Sequence, residues 1–368
     1  MLLQRARVLA LLVSVGTSML VCVGASSLRK GREWESDIQV IGSGKVVKQC
    51  QPFDVTASGY KKPPSSCYAQ ARARFPQRAV DDVSHELADS LQIAASLSCE
   101  PYVNVVLVSN SQNCFLDNYV TNINKLDDGF PAILSVAADI GAHEACLALA
   151  QGTAASRVVL VCAKSPTMSN TNIVLGKDDY GTANFAKVAW QKTTTIKTAL
   201  GLGITIMLTD IDMIWHYNPS PYFLYSPTII ETQCHRCEPA DNLGIVFAAP
   251  GTEAIIKIWD DEKRVVMNDN DAFRQAMVRE QKKQNTPMTR CLPRNMFGFS
   301  MGAVGVDESP ADKTHDWMAG APKRKLLTHF IATVDKISAM KEMKFWTPTK
   351  YGEDTCTLKS GVFTCDQC

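Results

Sequence analysis

Two aspartates directly after a short apolar run constrain this chain more than any other feature. Residues 204–208 are mostly aliphatic and β-branched, which indicates a buried strand. Asp210 and Asp212 follow that strand, at the edge where open α/β sheets bind their ligands. Because two carboxylates this close repel each other unless a cation lies between them, the pair predicts a site for a divalent metal ion and a phosphate-bearing ligand.

Short apolar strands alternate with helical stretches before the aspartate pair. The pattern predicts strands at residues 103–108, 132–138 and 158–162, and helices near 115–126 and 142–150. Strands separated by helices are typical of domains in which most strands run parallel. The sequence therefore predicts an α/β fold with a mainly parallel sheet.

The helix predicted at residues 183–200 carries a lysine on its apolar face. With about 100° between successive residues, Lys192 falls on the face that holds Val188 and Ile196, whereas Lys197 falls well off it. A lysine in such a position costs free energy unless it binds an anion or extends to water. Two interpretations stay open: Lys192 extends to solvent at the helix edge, or it binds a phosphate or an acidic side chain.

Two polar clusters follow further along the chain. Asn242 and Gly244 precede a predicted strand, and Asp269 and Asp271 lie just before a predicted helix. Aspartate and asparagine commonly cap helices, so capping explains part of the second cluster. The two acidic residues exceed what a cap needs, which makes them candidates for a functional site.

A histidine and a lysine stand out nearer the C-terminus. His329 lies in the apolar run 326–330, which predicts a short strand, and Lys336 follows in a predicted helix. A lone histidine in an apolar run is compatible with a structural role as well as with metal binding. Taken alone, His329 leaves both interpretations open.

Charge and cysteine content bear on the class of protein. The net charge is +1, which gives no electrostatic indication of nucleic-acid binding. Of 13 cysteines, one lies in the apolar N-terminal stretch, which leaves an even number beyond it. This favours disulfide bonds in an oxidising compartment. Zinc ligation by the pairs Cys234–Cys237 and Cys365–Cys368 is the alternative.

The N-terminus predicts entry into the secretory pathway. Residues 8–25 are apolar and have basic residues on both sides. This pattern fits a cleaved signal peptide as well as a type II membrane anchor, and both interpretations stay open. In either case the rest of the chain is expected in the secretory lumen, either in the Golgi as a single-pass membrane protein or as a secreted protein.

The motifs, in this order, resemble those of the nucleotide-diphosphosugar transferases, most nearly the group with plant cell-wall arabinosyl- and xylosyltransferases. The resemblance covers residues from about 100 to 345. It rests on the helix with Lys192, the segment Asp210-Ile211-Asp212-Met213-Ile214-Trp215, Asn242-Leu243-Gly244, Asn268-Asp269-Asn270-Asp271, and His329 followed by Lys336. Asn270 departs from the glutamine usual in that family, and Arg274 stands where an asparagine is common.

The resemblance implies a fold and an activity. The fold is the GT-A type, a Rossmann-like α/β sandwich. The activity is transfer of a pentose or hexose from a nucleotide-diphosphate donor, such as a UDP-sugar, to a glycan or glycoprotein acceptor, with retention of configuration. The implied cofactor is Mn²⁺ or Mg²⁺.

The resemblance also implies a role for each candidate site residue. The metal ligands are Asp210, Asp212 and His329, the catalytic residues are Lys192, Asp269 and Asp271, and the substrate-binding residues are Asp210, Trp215, Asn242, Gly244 and Lys336. Lys192 and Lys336 would add positive charge at the diphosphate. For Trp215 and Asn242, core packing and turn formation are the alternative interpretations.

Two other functions are compatible with the sequence. A degenerate transferase would bind glycans or a partner in the lumen without catalysis. An aspartyl phosphohydrolase would use Asp210 as nucleophile and Asp212 as proton shuttle. The second alternative also needs a later Gly-Asp-x-x-x-Asp motif, which the sequence lacks.

Four segments are predicted along the chain. Residues 1–28 form the signal peptide or anchor, 29–98 a stem or N-terminal extension, 99–346 the GT-A glycosyltransferase domain, and 347–368 a cysteine-rich C-terminal tail.

Overall fold

A computed structural model describes the protein over most of the predicted catalytic region. It covers residues 86–126, 130, 132–152, 158–173, 182–233, 242–263, 268–292, 296–299, 326–330, 336–351 and 356. The predicted signal peptide or anchor lies outside the described residues, as do Cys234, Cys237, Cys365 and Cys368. None of the described helices has both the length and the apolar character that crossing a membrane requires.

Helices and strands alternate in the first half of the described chain. The helices are α1 (Leu87–Leu97), α2 (Asn113–Ile123), α3 (Ile140–Gly152), α4 (Ala183–Ala189), α5 (Gln191–Gly201), α6 (Glu253–Asp260), α7 (Asp269–Gln284) and α8 (Lys336–Glu342). The strands are β1 (Val103–Val108), β2 (Ala132–Asp139), β3 (Val159–Ser169), β4 (Ile206–Thr209), β5 (Met213–Trp215), β6 (Ile230–Gln233), β7 (Ile245–Ala248), β8 (Thr289–Leu292), β9 (Phe297–Phe299) and β10 (Leu327–His329).

A seven-stranded sheet forms the centre of the fold, in the order β3-β2-β1-β4-β7-β6-β8. β1 pairs in parallel with β2 and β4, β2 with β3, and β6 with β8, whereas β7 runs antiparallel to both of its neighbours. A second sheet of three short strands has the order β5-β10-β9. The predicted α/β fold with a mainly parallel sheet is confirmed.

The large sheet separates two apolar cores. Along β1, Val103, Val105 and Leu107 face one core, and Val106 and Val108 face the other. Helices α1, α5, α6 and α7 contribute to the first core, and α2 and α3 to the second. This alternation buries both faces of the strand, as expected of a parallel sheet covered by helices on each side.

The helix predicted at residues 183–200 is interrupted. Trp190 separates α4 from α5; its φ of −73° and ψ of −5° stay in the right-handed region, but ψ departs from the value of about −42° usual in an α-helix. The Trp190 side chain is buried against Trp259 of α6, with 6.3 Å between ring centroids. Packing of a large ring between two helices thus fixes a turn that the apolar periodicity alone does not predict.

Disulfide bonds are present, as the cysteine content predicts. Cys146 in α3 bonds to Cys162 in β3, and Cys114 in α2 bonds to Cys356. Cys99 and Cys291 are also disulfide-bonded. The first two bonds connect α3 to strand β3 and α2 to Cys356, and both helices pack against the same face of the large sheet.

A C-terminal strap, residues 345–351, lies on α2. The Asp117 carboxylate accepts hydrogen bonds from the backbone N–H groups of Thr349, Lys350 and Tyr351. Asn118 Oδ1 accepts a hydrogen bond from the backbone N–H of Thr347, at 2.7 Å. A buried carboxylate that accepts several N–H groups makes charge-assisted hydrogen bonds, so Asp117 anchors the strap.

Replacing Asp117 tests this anchor. We expect Asp117→Asn to lower the free energy of unfolding by about 1.5–3 kcal/mol, because the hydrogen bonds lose their charged acceptor. Urea denaturation with the disulfides intact measures the change. Asp261→Asn is the control, because Asp261 is exposed and pairs at the surface with Lys257. Equal midpoints for the two variants would contradict the anchor.

Candidate active site

Strand pairing brings three potential metal ligands together. Asp210 and Asp212 lie between β4 and β5, and the β5–β10 pairing places His329 opposite Met213. The backbone N–H of Phe330 donates to the carbonyl of Asp212 at 3.0 Å, which fixes the two chains next to each other. Ligand atoms of Asp210, Asp212 and His329 all lie within 4.8 Å of one another.

The same three side chains have the chemistry of a divalent metal site. His329 Nε2 lies 3.2 Å from Asp212 Oδ1 and 3.8 Å from Asp210 Oδ2. Two carboxylates and an imidazole suit Mn²⁺ and related ions of the first transition series. The residues present therefore fit the metal that the sequence predicts.

Positive charge stabilises the Asp212 carboxylate. Burial disfavours the charged form, but the charges of Lys336 and His329 outweigh it and hold the pKa of Asp212 well below its usual range. Lys336, which begins α8, donates a hydrogen bond to Asp212 Oδ2. About a third of the Lys336 side chain is exposed, so it borders both the metal ligands and solvent.

Lys192 is buried and contacts acidic side chains. Its Nζ lies 3.0 Å from Asp210 Oδ1 and 3.1 Å from Asp269 Oδ2, and it donates to the carbonyl of Leu243 at 3.2 Å. Burial lowers the pKa of Lys192, but the two carboxylates outweigh that effect and raise the pKa above its usual value. The ammonium group thus donates to a backbone carbonyl and lies between two carboxylates of the site.

Two of the interpretations of Lys192 are thereby distinguished. The lysine does not extend to solvent, and it binds acidic side chains of the site.

The N-terminus of α7 lies against the same carboxylates. Asn268 caps the helix by accepting from the Asn270 N–H, and Asn270 Oδ1 accepts from the backbone N–H of Leu243 at 2.7 Å. Asp269 is 1% exposed and pairs with Lys192, whereas the Asp271 side chain is 53% exposed and pairs with Arg274 at 3.4 Å. Of the two aspartates, Asp271 is the one whose side chain is open to solvent.

The loop before β7 packs under the histidine. Because β7 is antiparallel to β4, its amino end lies beside the carboxyl end of β4, and Gly244 O accepts from Asp210 N–H at 2.7 Å. Asn242 Oδ1 accepts from the Gly244 N–H at 2.8 Å, so Asn242 is buried and forms the turn. A Cβ atom on Gly244 would lie 2.4 Å from His329 Cε1, a distance that only glycine avoids.

Trp215 lies in the core, 2% exposed. Its indole N–H donates to the hydroxyl of Tyr119 at 3.0 Å, and its ring packs edge-on against Phe130. The core-packing interpretation describes this placement, since the side chain offers no surface to a substrate.

Gln233 is a site residue that the sequence analysis missed. It ends β6, is fully buried, and contacts His329 Nδ1 through its Oε1 atom at 2.7 Å. No motif marks a glutamine in this position. Only the packing of β6 against β10 reveals the contact.

Comparison with known proteins identifies the family. A family model described as nucleotide-diphospho-sugar transferase matches residues 129–346, more than half of the chain. That range contains every candidate site residue named above. The match favours the transferase interpretation over an aspartyl phosphohydrolase. No curated protein matches the chain.

Several solved glycosyltransferase structures resemble the chain at low identity. They include apo GlyE of Streptococcus pneumoniae TIGR4 (13% identity, 62% of this chain, 55% of that chain, TM-score 0.38). The galactosyltransferase LgtC with donor and acceptor sugar analogs gives 10% identity, 68% and 97% coverage and a TM-score of 0.39. Mouse xyloside xylosyltransferase 1 has 8% identity and a TM-score of 0.37, and the match covers 62% of this chain and 97% of that chain. The chain thus spans about half the length of GlyE.

Replacing Gly244 tests the contact with the histidine. We expect Gly244→Ala to weaken Mn²⁺ binding by about 10- to 100-fold, because the added methyl group must displace the His329 ring. Isothermal titration calorimetry measures the affinity. Gly201→Ala, at the end of α5, is the matched control because its Cβ would meet no atom within 4 Å. Unchanged affinity in Gly244→Ala would mean that the ring position does not matter for the metal.

Replacing Lys192 tests the buried ion pairs. We expect Lys192→Met to lower the free energy of unfolding by about 3–5 kcal/mol, because Asp269 is left buried without a cation. Lys197→Met on the same helix is the control, since Lys197 is half exposed. Adding Asp269→Asn to Lys192→Met should recover part of the loss. If Lys192→Met is as stable as the control, Lys192 does not stabilise the site.

Proposed function

This chain belongs to the nucleotide-diphospho-sugar transferase family, and from that premise we propose that it is a metal-dependent glycosyltransferase of the secretory pathway. It transfers a pentose or hexose from a nucleotide-diphosphate donor, most simply a UDP-sugar, to a glycan or glycoprotein acceptor. The observation that carries the proposal is the convergence of Asp210, Asp212 and His329 beside Lys336.

The proposed cofactor is Mn²⁺ or Mg²⁺, held by Asp210, Asp212 and His329. When bound, such a cation neutralises negative charge that develops on a diphosphate leaving group, without a proton donor. Asp212 is the more buried of the two carboxylates, with a side chain 10% exposed against 35% for Asp210. Asp210 therefore has room to contact the donor ribose as well.

Lys336 is the cation proposed to contact the diphosphate. Its ammonium group touches Asp212 and remains partly exposed, so it has donors available for phosphate oxygens. Lys192 has a different proposed role. It holds Asp210 and Asp269 in place, and a fixed charge of this kind needs no rearrangement during the reaction.

The proposed contact with the donor sugar is made at the N-terminus of α7. Asp271 is exposed and can accept hydrogen bonds from sugar hydroxyls. Asp269 supports this end of the helix through Lys192. Transfer with retention of configuration requires no dedicated general base, and neither aspartate is assigned as a nucleophile.

The proposed location is the Golgi lumen, reached through the N-terminal signal peptide or membrane anchor. The disulfides Cys114–Cys356 and Cys146–Cys162 support an oxidising compartment. The segments proposed around the catalytic domain are residues 1–28, 29–98 and 347–368.

A panel of nucleotide sugars, with and without Mn²⁺, tests the proposal. We expect one class of donor to raise the melting temperature only when Mn²⁺ is present, by the mass-action stabilisation of a ligand that binds the native state. We also expect Asp212→Asn to reduce donor hydrolysis or transfer by about 100-fold or more, because it removes a fixed charge from the site. Its stability should fall, because the charged pairing of Asp212 with Lys336 and His329 is lost, so activity is compared at a temperature at which circular dichroism shows the variant folded.

Asp261→Asn is the control for the same chemical change at an exposed site. Binding of no nucleotide sugar by the wild type would overturn the enzymatic proposal and favour a lumenal binding protein. Activity that persists in the presence of a chelator would overturn the metal assignment.

A further inference from the structure

The amide of Gln233 connects the two sheets under the candidate metal site. Gln233 is the last residue of β6 in the large sheet, and its side chain reaches β9 and β10 in the small sheet. Its Nε2 lies 3.1 Å from the carbonyl oxygen of Phe297 and 3.5 Å from that of Gly298. Its Oε1 lies 2.7 Å from His329 Nδ1.

These contacts fix the orientation of the amide. Carbonyl oxygens only accept hydrogen bonds, so the group that faces Phe297 and Gly298 must be the NH₂ of Gln233. The Oε1 atom therefore faces the histidine. Because this oxygen cannot donate, His329 Nδ1 must carry the proton of the hydrogen bond.

This protonation state determines what the other ring nitrogen can do. In a neutral imidazole with a proton on Nδ1, Nε2 carries a lone pair. Here Nε2 points at Asp212 Oδ1, 3.2 Å away, and at Asp210 Oδ2, 3.8 Å away. A lone pair directed at two carboxylates is repulsive, so a cation belongs there. In the metal-free protein a second proton on Nε2 supplies it, which gives the charged ring that lowers the pKa of Asp212, and a divalent metal ion can take the place of that proton. Because Nδ1 keeps its proton in both cases, Nε2 is the atom left for the metal.

We propose that Gln233 is the positioning residue of the metal centre: it selects the Nδ1–H tautomer of His329 and holds the ring so that Nε2 faces the aspartates. The inference rests on the proposed function, since it assumes that this site takes a divalent metal ion. Metal-binding histidines usually donate their second N–H to a fixed acceptor, and loss of that acceptor typically weakens metal binding.

A neutral amide has a further effect on the charge of the site. Asp210 and Asp212 bring two negative charges, which a divalent cation balances, and the glutamine adds none. A carboxylate at position 233 would accept the same hydrogen bond and increase the negative charge around the metal. Gln233→Glu therefore separates the acceptor role of the side chain from its neutrality.

Three variants of the full disulfide-bonded chain test the proposal by Mn²⁺ titration calorimetry. We expect Gln233→Met, which is similar in size but cannot accept the hydrogen bond, to weaken Mn²⁺ binding by about 10- to 100-fold. Gln233→Glu should bind Mn²⁺ at least as tightly as the wild type. Gln281→Met is the matched control, because Gln281 on α7 loses a hydrogen bond to Thr289 away from the site.

The histidine tautomer is read directly by NMR of protein with ¹⁵N-labelled histidine, free of metal and at alkaline pH. The His329 signals are assigned by their loss in His329→Gln. We expect the wild type and Gln233→Glu to keep a proton on Nδ1, with or without a second proton on the Nε2 that faces Asp212, and Gln233→Met to lose the Nδ1 proton in part of the molecules. A wild-type ring with its only proton on Nε2 would overturn the inference.

The outcomes separate this inference from the proposed function. If the wild type binds Mn²⁺ and Gln233→Met binds it equally well, the positioning role is wrong and the metal assignment stands. If the wild type binds no Mn²⁺ but shows the Nδ1–H tautomer that Gln233→Met loses, the metal assignment is wrong and the tautomer role stands. If Gln233→Met does not fold, the wild-type tautomer and the affinity of Gln233→Glu decide.

Discussion

The buried ammonium group of Lys192 is the interaction on which the candidate site depends. It joins the end of β4, the start of α7 and the loop before β7 through Asp210, Asp269 and the carbonyl of Leu243. Removal of this cation would leave the buried carboxylate of Asp269 without a counter-charge, which is strongly unfavourable. The Asp210 carboxylate is shared: Oδ1 faces the lysine, and Oδ2 faces His329. The charge of Lys192 therefore stabilises Asp210 at Oδ1, and Oδ2 is the atom left to face a metal ion.

The candidate site consists of buried residues that hold other side chains in place and of residues that are partly exposed to solvent. Lys192, Asp269 and Gln233 are buried, so their contacts stay within the protein. Asp210, Lys336 and Asp271 are each at least a third exposed at the side chain. A fixed inner layer lowers the cost of ordering the outer residues when a ligand binds. Loops around such a site can change specificity while the inner contacts keep the metal ligands in register.

Much of the fold and of the site could be predicted from the sequence, because apolar periodicity and local motifs indicate which positions are buried. The long strands are evident as apolar runs, and Lys192 could be recognised because it lies on the wrong face of its helix. Strands β6 and β8 are not predicted, because Glu231 and Gln233 in the first and Arg290 in the second interrupt the apolar run, whereas the equally short β4 and β7 are mostly apolar. Gln233 could not be predicted, since its partner is 96 residues away and only tertiary packing brings the two together. Trp215 belongs to the motif on which the resemblance rests, but only the structure shows that its side chain is buried in the core.

The disulfide that closes the strap affects the order in which the protein matures. Cys114 and Cys356 are separated by 242 residues, so the bond cannot form on the ribosome until nearly all of that length has emerged. Until then Asp117 and Asn118 on α2 lack the backbone N–H groups that they bind in the folded protein. Helix α8, which carries Lys336, precedes the strap directly and is held with it. The candidate site is thus complete only after the C-terminal part of the chain, which carries His329 and Lys336, has been synthesised and packed against the rest of the fold.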